Sequence, residues 1–101
     1  MSIGINGYGT KPTVTSTASR VVLNSENTSF YANHVSVYND GTVDIYALVN
    51  CTLDHFNNHV ATAVPIPSKG AFSFTSDGRA PIHSICLKSS GADCVVYLGA
   101  F

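Results

Sequence analysis

The stretch Ser36-Val37-Tyr38-Asn39-Asp40-Gly41-Thr42-Val43-Asp44-Ile45-Tyr46 decides the fold class. On both sides of Asn39-Asp40-Gly41, apolar and polar residues alternate with the period of two that a half-buried strand requires. A three-residue turn with Gly41 at a left-handed bulge position predicts Tyr38 opposite Thr42, Val37 opposite Val43 and Val35 opposite Ile45. The aliphatic residues of that pairing share one face, and Asp44 and Tyr46 point outward. A two-residue turn would set Val37 against Asp44, burying a carboxylate or exposing the valines, so burial favours the longer turn.

Outward from this segment, runs rich in Val, Ile, Tyr, Phe and Thr recur with turn residues between them. They predict strands near 20–24, 30–38, 42–51, 59–66, 70–75, 81–88 and 93–99. No segment holds an i, i+3, i+4, i+7 apolar pattern over three turns, so helix is expected to be nearly absent. The reading is an all-β chain, an antiparallel β-sandwich of seven to eight strands with the jelly roll among its arrangements. Residues 1–19, rich in Gly, Ser and Thr, read as a flexible N-terminal arm or loosely held first strand, with 20–101 as the sandwich domain.

The last hairpin admits two registers. A four-residue loop, Ser89 to Ala92, pairs Leu87 with Cys94, Ile85 with Val96 and His83 with Leu98, and turns Cys86 to the opposite side from Cys94. A three-residue loop would bring Cys86 and Cys94 together but set Leu87 opposite Asp93. The first register is favoured, and free thiols are expected. Pro65 and Pro67 remove ladder donors and argue that the 59–66 segment is an edge or a strand end. Phe72 and Phe74 are expected to supply the largest share of the core.

Composition narrows function. In 101 residues only 11% are charged, against about 25% in ordinary soluble domains, while Ser, Thr and Asn fill 29 positions. Five basic against six acidic residues cannot neutralise a run of phosphates, which argues against nucleic-acid binding. No apolar run reaches the roughly 20 residues of a membrane span, nor does Met1–Arg20 hold a signal-peptide core, so no membrane partner is expected. Three cysteines, an odd number, suit a reducing compartment.

Candidate chemistry is thin. His55-Phe56-Asn57-Asn58-His59 has the four-residue histidine spacing of a helical zinc site, beside Asp54. It lies between two expected strands and carries Asn-Asn, so a surface turn is the simpler reading, and no third ligand suggests itself. His34 and His83 fall on separate strands and read as half-exposed structural residues. Cys86 and Cys94, in apolar company, read as structural thiols. The carboxylates are dispersed, and Asp40 and Asp77 look like turn formers before Gly41 and Gly78. Gly4, Gly7 and Gly9 precede no helix that could hold an anion. The sequence thus predicts no catalytic residues, no metal, no cofactor and no enzymatic activity. Outward tyrosines suit a protein interface or a sugar-binding face.

The string Ser36 to Val49, then Val64-Pro65-Ile66-Pro67-Ser68-Lys69-Gly70, Pro81-Ile82-His83-Ser84-Ile85 and Val95-Val96-Tyr97-Leu98-Gly99, resembles the small jelly-roll-like β-sandwich virion proteins of tailed bacteriophages. The resemblance covers about residues 20–101 through turn and strand patterns. It implies a structural virion protein that decorates or cements the capsid, or forms part of the neck or tail. The implied partners are the major capsid or neck and tail proteins and further copies of the chain as a homo-oligomer. The protein would then occur in the virion, and in the host cytoplasm during assembly. The expected interface residues are Tyr38, Tyr46 and Tyr97, with Ile3, Ile5 and Tyr8 in the arm. The alternative expectation is a carbohydrate-binding module displayed on a particle for host attachment.

Overall fold

Buried and exposed side chains alternate along His34–Asn39 and Cys94–Ala100 in the computed structural model, which describes residues 8–23, 32–76 and 81–101. Nine strands occur among the described residues: β1 (Tyr8–Thr10), β2 (Thr13–Val14), β3 (Ser19–Val22), β4 (His34–Asn39), β5 (Ile45–Val49), β6 (Val64–Ile66), β7 (Ala71–Thr75), β8 (Ser84–Ser89) and β9 (Cys94–Ala100). β1 and β2 are one edge strand broken at Pro12. Both lie antiparallel to β9 in a single register, Thr10 opposite Leu98 and Thr13 opposite Val95. Pro12 has no N–H to contribute, but its carbonyl accepts from the Val96 amide at 3.0 Å.

With that interrupted strand counted once, the sheets are β1/β2-β9-β4-β7 and β3-β8-β5-β6. The beginning of the chain pairs with its end, β3 with β8, β4 with β7, and β5 with β6. This nesting is one long antiparallel ribbon rolled over itself, the jelly roll. The two inner faces enclose Val14, Leu23, Val35, Val37, Ile45, Ala47, Ile66, Ile85, Leu87, Cys94, Val96 and Leu98.

Two expected hairpins are corrected by this topology. β4 pairs with β7 and β9, whereas β5 pairs with β6 and β8, so Val37 and Val43 are not strand partners. Val35, Val37 and Ile45 are buried as expected, but they meet across the sandwich. Likewise β8 and β9 belong to different sheets, and Leu87 pairs with Ser19 and Ala47 instead of Cys94. The segments 40–44 and 90–93 are therefore arches between sheets.

Asn39 makes the first arch. It is fully buried, its Nδ2 donates to the Val43 carbonyl at 2.8 Å and the Ile66 carbonyl at 3.1 Å, and its Oδ1 accepts from the Gly41 amide at 2.9 Å. One amide thus satisfies backbone groups that a crossing strand would otherwise strand without partners. Gly41 is required for space: a Cβ there would lie 2.2 Å from the Cys94 sulfur. The left-handed bulge expected of it does not occur; among the described non-glycine residues, positive φ falls at Asn50 and Lys69.

Phe72 and Phe74 do not dominate the core. They lie on β7, the last strand of its sheet, where inward side chains have a neighbour on one side only. Phe72 is 41% exposed and its ring meets that of Phe74 edge-on at 4.8 Å. The largest fully buried side chain among the described residues is Phe56, in a helix where a surface turn was expected. That helix, α1 (Leu53–Asn58), is followed by a 3-10 turn at Val60–Thr62, and Thr52 caps it by accepting from the His55 amide at 3.1 Å. Too short for a three-turn periodicity, α1 exists because Phe56 and Ala63 cover the outer face of the second sheet over Cys86. The 59–66 strand accordingly shrinks to β6, which is an edge, as Pro65 requires.

Candidate docking surface

Tyr38 and Tyr97 face solvent from adjacent strands, directly opposite each other in the β4–β9 register. They are 37% and 44% exposed, and their rings lie 6.1 Å apart at 39°. The outward row continues to Ala71 on β7. Lys11 stands over the Tyr97 ring with Nζ 5.7 Å from the centroid. Lys69, held at φ 61° in the turn before β7, brings its ammonium 2.8 Å from the Asp40 carboxylate. The Asp40 hydrogen bond, then its negative charge and smaller contributions from Tyr38 and Tyr97, hold the Lys69 ammonium above its ordinary 10.5. The pair is exposed, so it orients these side chains more than it stabilises the fold.

Two residues further along the strands, the outward row is Ser73, Ser36, Gly99 and Gly9. Beyond it lie Thr75, His34 and Phe101, whose backbone N–H and C=O exchange hydrogen bonds with those of His34 at 2.9 Å each. The His34 and Phe101 rings are 4.8 Å apart. Ser36 Oγ lies 3.2 Å from His34 Nε2, and Thr75 Oγ1 lies 3.3 Å from His34 Nδ1. Rows of like-facing residues along a strand are about 6.7 Å apart. The face is therefore a low floor of serine and glycine between two ridges of rings, with hydroxyls along its middle.

The expected interface residues are thus divided. Tyr38 and Tyr97 come together. Tyr46 lies half-buried on the outer face of the other sheet, packed beside Phe56, Cys51 and Leu48. The backbone of Tyr8 pairs with Ala100 in β1, and Ile3 and Ile5 lie outside the described residues. Lys11, Lys69 and Phe101 were not singled out from the sequence, and His34 was read there only as a structural residue, because their adjacency depends on pairings between distant strands.

The histidine candidates resolve differently. His55 and His59 occupy one face at the end of α1, their rings stacked at 4.1 Å, with His59 Nδ1 2.8 Å from the His55 carbonyl oxygen. No cluster of three or more metal-ligating side chains occurs among the described residues. His34 belongs to one sheet, and His83 precedes β8 of the other. All three cysteines are free; Cys86 lies under α1 and Cys94 in the main core. The sequence matches no protein-family model and no curated protein.

Proposed function

We propose that the chain is a non-catalytic structural subunit of a tailed-bacteriophage particle, docking on other virion proteins in the head, neck or tail. The observation that carries this reading is the Tyr38–Tyr97 face. It is exposed, has its charges paired or set over a ring, and is built on a rigid sheet. Tyrosines in such a setting bury large area with little loss of side-chain freedom. The jelly-roll topology supports the reading by analogy, since the arrangement recurs in viral capsid proteins, though also in lectins. Copies of the chain associate along β7, whose outer edge pairs with no described strand and whose Phe72 ring is uncharged and exposed.

Incorporation into particles tests the docking face. The double variant Tyr38→Ser/Tyr97→Ser is expected to fold and to be lost from purified particles, while Tyr46→Ser is retained. Retention of the double variant would refute the assignment of this face. The solution mass of Phe72→Lys tests self-association: a monomer is expected where the native chain is an oligomer.

A second reading is favoured by the floor of Ser36, Ser73 and Gly99 between the two ring ridges, an arrangement suited to stacking a sugar ring and bonding its hydroxyls. Under it the protein binds carbohydrate for host attachment. A glycan array would then give a signal that Tyr97→Ala abolishes and Tyr46→Ala keeps. An empty array leaves protein docking as the function of the face.

A further inference from the structure

Asn50 ends β5 in a left-handed conformation, φ 56°, and so returns the chain across the outer face of the second sheet. Its side chain fixes the return: Nδ2 donates to the Pro81 carbonyl at 2.9 Å, and Oδ1 accepts from the His83 amide at 2.6 Å. Cys51 consequently comes back over the row formed by Arg20, Cys86 and Leu48. Arg20 Nε donates to the Cys51 carbonyl at 3.3 Å, and the Cys86 thiol donates to the same oxygen at 3.4 Å. Cys86 belongs to the cluster under α1 and Cys51 packs against it, so the Cys86 thiol that reaches the Cys51 carbonyl lies beside the Cys51 side chain. Cys86 is fully buried there, while Cys51 is partly open to solvent.

We propose that Cys51 and Cys86 form a redox pair, in which Cys51 meets the oxidant and Cys86 resolves it, closing a reversible disulfide that staples the β5–α1 connection to β8. The oxidant is a peroxide. The Cys51 thiolate attacks one peroxide oxygen, the O–O bond breaks, and the departing hydroxide takes the proton released by Cys51 and leaves as water. Cys86 sulfur then attacks the Cys51 sulfenic acid; the S–O bond breaks, and the hydroxide leaves as a second water with the Cys86 proton. The sulfurs lose two electrons and the peroxide gains two. Burial, then the neighbouring Cys51 thiol, pushes Cys86 up to about 12. Ring closure therefore accelerates as pH rises toward that value. Cys94 takes no part: it faces the main core, its thiol directed at the Val43 and Ala92 carbonyls at 3.6 Å each.

The three cysteines fall on different tryptic peptides, residues 21–69, 80–88 and 89–101, so a peptide map of the full chain after hydrogen peroxide reads the connectivity. The expected product is a monomer lighter by about 2 Da, with 21–69 joined to 80–88 and Cys94 still open to alkylation after denaturation. Its melting temperature is expected to rise by several degrees and to fall back with dithiothreitol, because closing the long loop restricts the unfolded chain. Cys94→Ser should close as the native chain does, and Cys51→Ser, checked for folding by circular dichroism, should not. A linkage through Cys94, a covalent dimer through Cys51, or Cys51 oxidised to sulfinic acid with Cys86 still alkylatable would each overturn the proposal.

Discussion

Gly41 lies so close to Cys94 that a Cβ on it would stand 2.2 Å from the sulfur, 2.5 Å from the Cys94 Cβ and 2.9 Å from its Cα. The arch leaving β4 thus passes directly over the first residue of β9, and their contact is one of the places where the rolled ribbon is held shut. Gly41→Ala is expected to lower stability by about 3 kcal/mol, since backbone must move to admit the methyl group. Urea unfolding measures this. Adding Cys94→Ala should restore only part of the loss, because the Cβ and Cα remain within 3 Å; full recovery would show that the sulfur alone makes the contact.

Asn39 provides the second test of the arch. Asn39→Ala removes the amide from the Ile66 carbonyl and the Gly41 N–H and leaves the Val43 carbonyl with only the more distant Cys94 thiol, and a loss of about 2–4 kcal/mol is expected from the weakened buried bonding. An asparagine in an exposed hairpin turn would change stability by no more than about 0.5 kcal/mol. The same unfolding measurement separates the two.

The aromatic residues should rank by cover. Phe56→Ala, which empties the space between α1 and the second sheet, is expected to cost about 3–5 kcal/mol. Phe72→Ala, at a sheet edge with 41% of the residue exposed, should cost about 1 kcal/mol. The reverse order would mean that β7, and not α1, closes the hydrophobic interior.

Cys86 also predicts a pH dependence. Its thiol is raised from an ordinary 9.0 to about 12, mainly by burial and then by Cys51. The native state therefore keeps a proton that the unfolded chain releases. Stability from this group is complete below pH 9.0 and declines as pH climbs from there toward about 12. Cys86→Ala should show a shallower decline over that window in thermal unfolding. Equal slopes would place the thiol in water.

Much of this was legible in the chain itself. Period-two alternation identified the buried sides of Val35 and Val37, Ile85 and Leu87, and Val96 and Leu98, and set Cys86 apart from Cys94, because a strand's own sequence dictates which of its faces is apolar. Pro65 marked an edge because a residue without an N–H has no place in a central ladder. Helix α1 carried only its Thr52 cap and Asp54 as local signals, too little for a periodicity argument over six residues.

Sequence by itself determined an all-β sandwich and the inward faces of its central strands. Only the tertiary structure decided which strand lies beside which, and with that the Tyr38–Tyr97 pair, the Cys51–Cys86 pair and the exposure of Phe72. The physical reason is that alternation fixes a strand's inward face without naming its neighbour. An arch to the opposite sheet and a turn back beside the same strand bury the same residues. The choice between them rests on contacts distant in sequence, among them the amide of Asn39 reaching Ile66 and the space above Cys94 that only a glycine leaves open.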